Sequence, residues 1–290
     1  MTQFGIITKP NEPRAGVVAA DIAQWAAAQG ITLRVDERLQ ELPPHSVRAT
    51  ATEIVDCCDF LIVLGGDGTM IATARMVAGR GTPVIGVNLG WLGYLTEFAV
   101  GDVIRALECV VRGDFGLDHR TMLDWSLLRA QQEIETGLVL NDVVLNKSAL
   151  ARVIEINCCI GERYVTTYRG DGLIVATPTG STAYNLSAGG PIIYPETEAI
   201  CIAPICSHAL TNRPIVLPLG KLEITLELIT REEAMLTSDG QTGVPLAAGD
   251  LVKVKKSDKT FNMVRPKDRD YFQILRDKLD WSGSTRHNSG

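Results

Sequence analysis

One carboxylate stands among three glycines at the end of an apolar run, in Phe60-Leu-Ile-Val-Leu-Gly-Gly-Asp-Gly-Thr69. Phe60 to Leu64 reads as a buried strand, and helical spacing follows from Thr69 through Ala78. A strand that stops in glycines and turns into a helix can hold phosphate. Glycine lets the backbone come close, and a helix start offers N–H donors and a positive dipole end. Gly65, Gly66, Gly68 and Thr69 are the candidate donors. Asp67 is the misfit, because a carboxylate repels phosphate. It needs a task, either on a metal ion or on a hydroxyl that must lose its proton. By itself the turn also fits a tight strand-to-helix connection with no ligand.

Two further segments carry polar groups at a strand end. In Asp171-Gly-Leu-Ile-Val-Ala-Thr-Pro-Thr-Gly-Ser-Thr-Ala-Tyr-Asn-Leu-Ser187, a strand enters a hydroxyl-rich turn and a helix follows from Ser181 to Ala188. Capping uses one or two hydroxyls and leaves the others for a polar ligand. In Leu140-Asn-Asp-Val-Val-Leu145, an amide and a carboxylate interrupt an apolar stretch, as functional groups in a strand or as a turn. Neither a Gly-x-x-x-x-Gly-Lys-Ser/Thr loop nor a Gly-x-Gly-x-x-Gly fingerprint follows Leu64, so a bound nucleotide would be held by another arrangement. The seven cysteines include no Cys-x-x-Cys and read as buried reduced thiols of a cytoplasmic protein. The four histidines lack ligand spacing, which argues against structural zinc; His208 reads as a packed loop residue. Asp239, in Ser238-Asp-Gly240, reads as a turn residue.

The elements that position these groups fall into two textures. Up to about residue 117, strands (Gln3 to Thr8, Ile31 to Val35, Phe60 to Leu64, Pro83 to Val87) alternate with helices (Ala15 to Gln29, Val47 to Val55, Val100 to Arg112). Such alternation predicts a mostly parallel sheet in an α/β domain, 1–117. From 118 to 265 short β-like runs succeed one another, including Met122 to Ala130, Gly137 to Leu145, Arg152 to Ile160 and Leu251 to Val254. They predict a β-rich, sandwich-like domain. A helix in 266–281 should pack back on the first domain, and the polar 282–290 reads as a disordered tail. The net charge of −6 gives no support for nucleic-acid binding, and no apolar run approaches the ~20 residues of a membrane span.

Together the three segments resemble the NAD kinases, most closely the Gram-negative bacterial type. The resemblance rests on Gly65-Gly-Asp-Gly-Thr69, Asn141-Asp142 and Asp171 through Tyr184, with Ser187-Ala-Gly-Gly-Pro191 and Ser238-Asp-Gly-Gln241 in family order. Lipid kinases of the diacylglycerol type and phosphofructokinases also use Gly-Gly-Asp-Gly, but their second motifs are missing. The resemblance implies the NAD kinase/diacylglycerol kinase-like fold and transfer of the γ-phosphoryl of ATP to the 2′-hydroxyl of the adenosine ribose of NAD. Asp67 would be the general base, and Gly65, Gly66, Gly68 and Thr69 the ATP phosphate loop. Asp67, Gly68, Asn141, Asp142, Arg152, Arg169, Asp171, Thr182, Ala183, Tyr184, Asn185, Leu186, Ser187 and Gln241 would hold NAD. A divalent cation, Mg2+ or Mn2+, would arrive with ATP rather than on fixed protein ligands, and Arg75 could add charge neutralisation. The resemblance further implies a cytoplasmic homodimer or homotetramer. Same-superfamily action on a lipid or sugar hydroxyl, or a non-catalytic NAD sensor, are the alternatives.

Overall fold

The computed structural model describes residues 2–90, 93–149, 152–220, 222–265 and 270–281. The chain divides into two compact units. One comprises residues up to 77, 82–118 and those from 262 onward; the other comprises 78–81 and 119–261. The expected tail, 282–290, and the start of the expected C-terminal helix lie outside the described residues.

The first unit is an α/β layer structure. Strands β1 (Gln3–Thr8), β2 (Thr32–Asp36), β3 (Ser46–Ala49), β4 (Phe60–Gly65), β5 (Val84–Asn88) and β6 (Phe98–Ala99) pair in parallel, with β3-β2-β1-β4-β5 in line and β6 beside β5. Parallel neighbours need crossovers, and α1 (Pro13–Ala28), α2 (Ala51–Cys57) and α3 (Asp67–Val77) lie on the connections between these strands, while α4 (Val103–Val111) follows β6. Strand β4 lies between β1 and β5, and all six of its residues are buried. Its Phe60, Ile62 and Leu64 pack with Ile6, Ile85, Val87 and the apolar face of α1, including Val18 and Ile22. Each such side chain contributes about 1.5–3 kcal/mol by leaving water. That anchors the end of β4 from which Asp67 departs.

One expected helix is corrected. Val47 to Ala49 is not helical but belongs to β3, paired with β2. The helix starts after Thr50, where the Thr50 hydroxyl accepts from Glu53 N–H and the Glu53 carboxylate accepts from Thr50 N–H. This reciprocal cap stops the helix from extending backward.

The second unit is a sandwich of two sheets. One holds β8 (Gln132–Val139), β10 (Ile154–Ile160), β11 (Arg163–Gly170), β15 (Glu223–Leu228) and most of β7 (Gly116–Arg129) and β18 (Leu251–Arg265), whose first and last few residues respectively belong to the first unit. The other is antiparallel with order β14-β13-β12-β9-β16-β17, built from β9 (Asp142–Lys147), β12 (Gly172–Ala176), β13 (Ala199–Ile205), β14 (Ile215–Pro218), β16 (Ala234–Ser238) and β17 (Thr242–Leu246). Alternate residues from both sheets, such as Val143, Leu145, Leu173 and Val175 against Ile156, Leu226 and Val252, form one core. The expected run Gly137 to Leu145 is two strands, β8 and β9, broken at Leu140-Asn141. The expected helix Ser181 to Ala188 is also divided. A 3-10 turn, Gly180–Thr182, meets the one-turn α5 (Tyr184–Ser187), and Ala183 between them has φ −97 and ψ −128. Strand β18 runs far beyond the expected Leu251 to Val254, and its Met263 pairs with Val84 in the first unit's sheet. The last helix, α6 (Tyr271–Leu279), belongs to the first unit and buries Tyr271, Ile274 and Leu275.

Candidate active site

In the first unit the glycine turn closes as soon as β4 ends. Thr69 N–H and Met70 N–H donate to Gly66 O at 3.0 and 3.2 Å, so Thr69's amide serves the turn itself. A Cβ on Gly65 would lie 2.6 Å from Thr69 Oγ1, which leaves only glycine able to take that side chain across it. Gly66 is half-buried and Gly68 exposed.

Asp67 is the first residue of α3, and its carboxylate is held by the segment after β5. Oδ2 accepts from Tyr94 N–H at 2.8 Å. Oδ1 accepts from Leu95 N–H at 3.0 Å, from Thr96 N–H at 3.2 Å and from the Thr96 hydroxyl at 3.2 Å. A Cβ on Gly93 would lie 2.0 Å from Oδ1, so the segment approaches this closely only because residue 93 has no side chain. A carboxylate has about four lone-pair positions. Oδ1 is crowded, whereas among the described residues Oδ2 has one donor, which leaves room for a proton. Burial, and then the charge of Asp67, raise the Tyr94 phenol above its usual range. Arg75 sits half-buried in the last turn of α3.

In the second unit, Asn141, Asp142, Asp171, Tyr184 and Asp239 come together. Asp142 opens β9 and is 4% exposed. Burial, and then the negative charge of Asp239, push its carboxyl up to about 7. Tyr184 is 40% exposed, and its phenol is raised by burial and by the charges of Cys206, Asp171 and Asp142. Asp171 pairs with Lys147, Nζ to Oδ1 at 3.1 Å. Arg169 is 61% exposed, with Nε 3.5 Å from Glu155 Oε1. Arg152 is exposed in coil ahead of β10, and Gln241 is exposed on the β16–β17 turn, its N–H on Ser238 O.

Each hydroxyl of the hydroxyl-rich turn has a protein partner. Thr177 Oγ1 donates to Leu140 O and accepts from Gly180 N–H. Ser181 Oγ donates to Pro178 O, and Thr182 Oγ1 to Thr179 O. Thr179 Oγ1 accepts from Arg120 at 3.3 Å. Neither short helix has a side-chain cap; Ser181 and Thr182 tie the loop to itself, while Thr177 and Thr179 tie it to Leu140 and Arg120. Asn185 is fully buried and its amide nitrogen donates to Ser181 O and Pro191 O. A Cβ on Gly190 would lie 2.2 Å from Asn185 Oδ1, which explains the glycine there. Ala183 and Leu186 are half-buried and Ser187 exposed on this same turn. His208 is exposed rather than packed. Cys57 and Cys206 are exposed too, and all seven thiols are free.

Three contributors escaped sequence reasoning. Nothing in the pattern paired Lys147 with Asp171. The Tyr94–Thr96 amides were invisible because any residue supplies them, although Gly93 is a visible sign of close approach. Asp239 is a turn residue by its sequence context, and its carboxylate in addition accepts from the amides of Leu140, Asn141 and Asp142.

A model of the ATP-NAD kinase N-terminal domain matches residues 4–115, and one of the ATP-NAD kinase C-terminal domain matches 140–266. The chain belongs to the ATP-NAD kinase family. A protein of Geobacter sp. strain M21 named NAD kinase is 45% identical over 285 residues, spanning 97% of this chain and 99% of that protein. The NAD kinase of Citrifermentans bemidjiense is 44% identical over the same shares. Among solved structures, yeast NADH kinase complexed with NADH superposes with a TM-score of 0.86 at 25% identity, covering 99% of this chain and 89% of that one. An NAD kinase from Archaeoglobus fulgidus in complex with ATP shares the fold, with a TM-score of 0.75 at 23% identity over 96% of this chain and 99% of that one. The ATP-NAD kinase assignment covers both units, and the motif residues lie inside the matched ranges.

Proposed function

We infer that the protein transfers the γ-phosphoryl of ATP to the 2′-hydroxyl of the adenosine ribose of NAD, giving NADP and ADP. The observation that carries the chemistry is the placement of Asp67 at the head of α3, its carboxylate fixed by three backbone amides and a hydroxyl. The ribose oxygen attacks the γ-phosphorus in line, and the bond to the ADP oxygen breaks. The hydroxyl proton passes to Asp67 Oδ2, the oxygen with room for it. A loose phosphoryl-transfer transition state asks for orientation more than for a strong base, so a carboxylate held in place suffices.

The first unit takes the phosphoryl chemistry, with Gly65, Gly66, Gly68 and Thr69 as the phosphate loop. The second takes the dinucleotide, through Asn141, Asp142, Arg152, Arg169, Asp171, Gln241 and the turn from Thr182 to Ser187. The convergence of Asn141, Asp142, Asp171 and Tyr184 supports this assignment. A divalent cation, Mg2+ or Mn2+, would supply charge neutralisation on the triphosphate. With no lysine in the glycine turn, such an ion would arrive with ATP and neutralise the triphosphate there. We expect a homo-oligomer, and the seven free thiols suit a reducing cytoplasm. Among the described residues no helix is long and apolar enough to cross a membrane.

The test is to incubate the protein with ATP, Mg2+ and NAD, diacylglycerol or a sugar phosphate in parallel. NADP should form, with the other acceptors inert. Folded protein that binds NAD without making NADP would point to the sensor instead, and a phosphorylated lipid or sugar to another kinase of the superfamily.

A further inference from the structure

We propose that Asp239 is the positioning residue of the dinucleotide site: its carboxylate sets the Leu140–Asp142 turn and, through it, the side chain of Asn141. The proposal rests on the reading that Asn141 and Asp142 hold NAD.

Three successive N–H groups converge on this one carboxylate. Oδ2 accepts from Leu140 N–H at 3.2 Å, and Oδ1 from Asn141 N–H at 2.7 Å and Asp142 N–H at 3.2 Å. Such a run of amides is an anion nest. Asp239 N–H returns a bond to Asp142 O at 3.0 Å. The residue can face the turn because it adopts φ +51, followed by Gly240 at φ +63, at the tip of the β16–β17 hairpin. Strand β16 is in register with β9, Ser238 opposite Val143, so the tip cannot drift from the turn it holds.

The other side of the turn is fixed as well. Thr177 N–H donates to Asn141 O at 2.8 Å, and Thr177 Oγ1 to Leu140 O at 2.6 Å. A Cβ on Gly180 would lie 2.1 Å from Asn141 O. The backbone N–H and C=O groups of residues 140–142 are therefore all satisfied by Asp239 and Thr177. Asn141 Oδ1 is buried and has no hydrogen-bond partner among the described residues. A buried acceptor of this kind fits a donor from a ligand, such as the exocyclic amine of adenine or a ribose hydroxyl.

A turn residue alone would not explain Asp239. Left-handed φ is open to Asn and Gly too, so the turn does not require a carboxylate. A second acid beside buried Asp142 is unfavourable in itself. Charge-assisted bonds, roughly twice as strong as neutral ones, compensate for it.

The experiment compares Asp239→Ala and Asp239→Asn with the native protein. It measures Kd for NAD by calorimetry without ATP, KM for NAD and for ATP, and kcat. Asp239→Ala should raise Kd and KM for NAD at least tenfold, leaving KM for ATP within twofold. Asp239→Asn should fall between, because its carbonyl can keep the bonds to residues 141 and 142 while its NH2 faces Leu140 N–H. A purely structural role would lower the folded fraction, and hence kcat, without moving Kd. If Asp239→Ala does not fold, Asp239→Asn decides. An NAD Kd within twofold of native in either folded variant, or equal rises for NAD and ATP, overturns the proposal. A native protein that makes no NADP would strike the proposed function instead.

Discussion

Replacing Asp142 by Asn should remove a pH dependence of stability that the native protein carries. Burial and the neighbouring charge of Asp239 push the Asp142 carboxyl from 3.8 up to about 7. The folded value is raised, so the native state binds the extra proton between these two pH values. The stability linked to this group is therefore complete below about pH 4 and is lost as pH rises through 7. Three units at 1.36 kcal/mol each bound the loss at about 4 kcal/mol. Urea denaturation of native protein and Asp142→Asn, at pH 4, 6 and 8, measures it. The variant should gain on the native protein steadily as pH rises, by up to about 4 kcal/mol across the range. Its amide carries no charge to desolvate, and the repulsion from Asp239 disappears. Two stability curves that run parallel across the range would refute the reasoning, because they would mean that Asp142 ionises in the fold as easily as in the unfolded chain.

Other perturbations test other parts. Gly93→Ala puts a methyl 2.0 Å from Asp67 Oδ1 and should displace the base. A misplacement of about 1 Å can cost roughly a hundredfold in rate, so kcat should fall on that scale while NAD Kd holds; unchanged kcat would show that the clamp is dispensable. Arg265 has Nη1 3.5 Å from Asp118 and Nε 3.8 Å from Glu97, both buried. Arg265→Met withdraws the cation from two buried acids and should cost about 3–5 kcal/mol in urea denaturation; a loss near zero would mean the acids are neutral or otherwise held. If exposed Arg169 biases the site toward the oxidised ring, kcat/KM will be higher for NAD than for NADH, and equal values would remove that role.

Legibility followed the physics of each element. Strand β4 and its glycine turn could be read because burial on both faces writes a continuous apolar run, and close backbone approach writes glycine. The boundary at Thr50 was written as Thr-x-x-Glu, a capping box, yet Val47 to Val55 reads as one helix if only apolar spacing is followed. The break at Leu140-Asn141 depends on partners about 37 and 98 residues away, Thr177 and Asp239, so no local pattern encodes it. The same holds for Lys147 and Asp171. The hydroxyls of 177–182 marked a special loop correctly as residue types, but their partners are backbone carbonyls that sequence does not display.

The most direct measurement is turnover of Asp67→Asn with saturating ATP, Mg2+ and NAD, alongside its NAD affinity and melting temperature. The account predicts a folded protein that still binds NAD and loses NADP formation by orders of magnitude. The amide can accept the Leu95 and Thr96 bonds but cannot take the ribose proton. Near-native kcat in the folded variant would contradict Asp67 as the base.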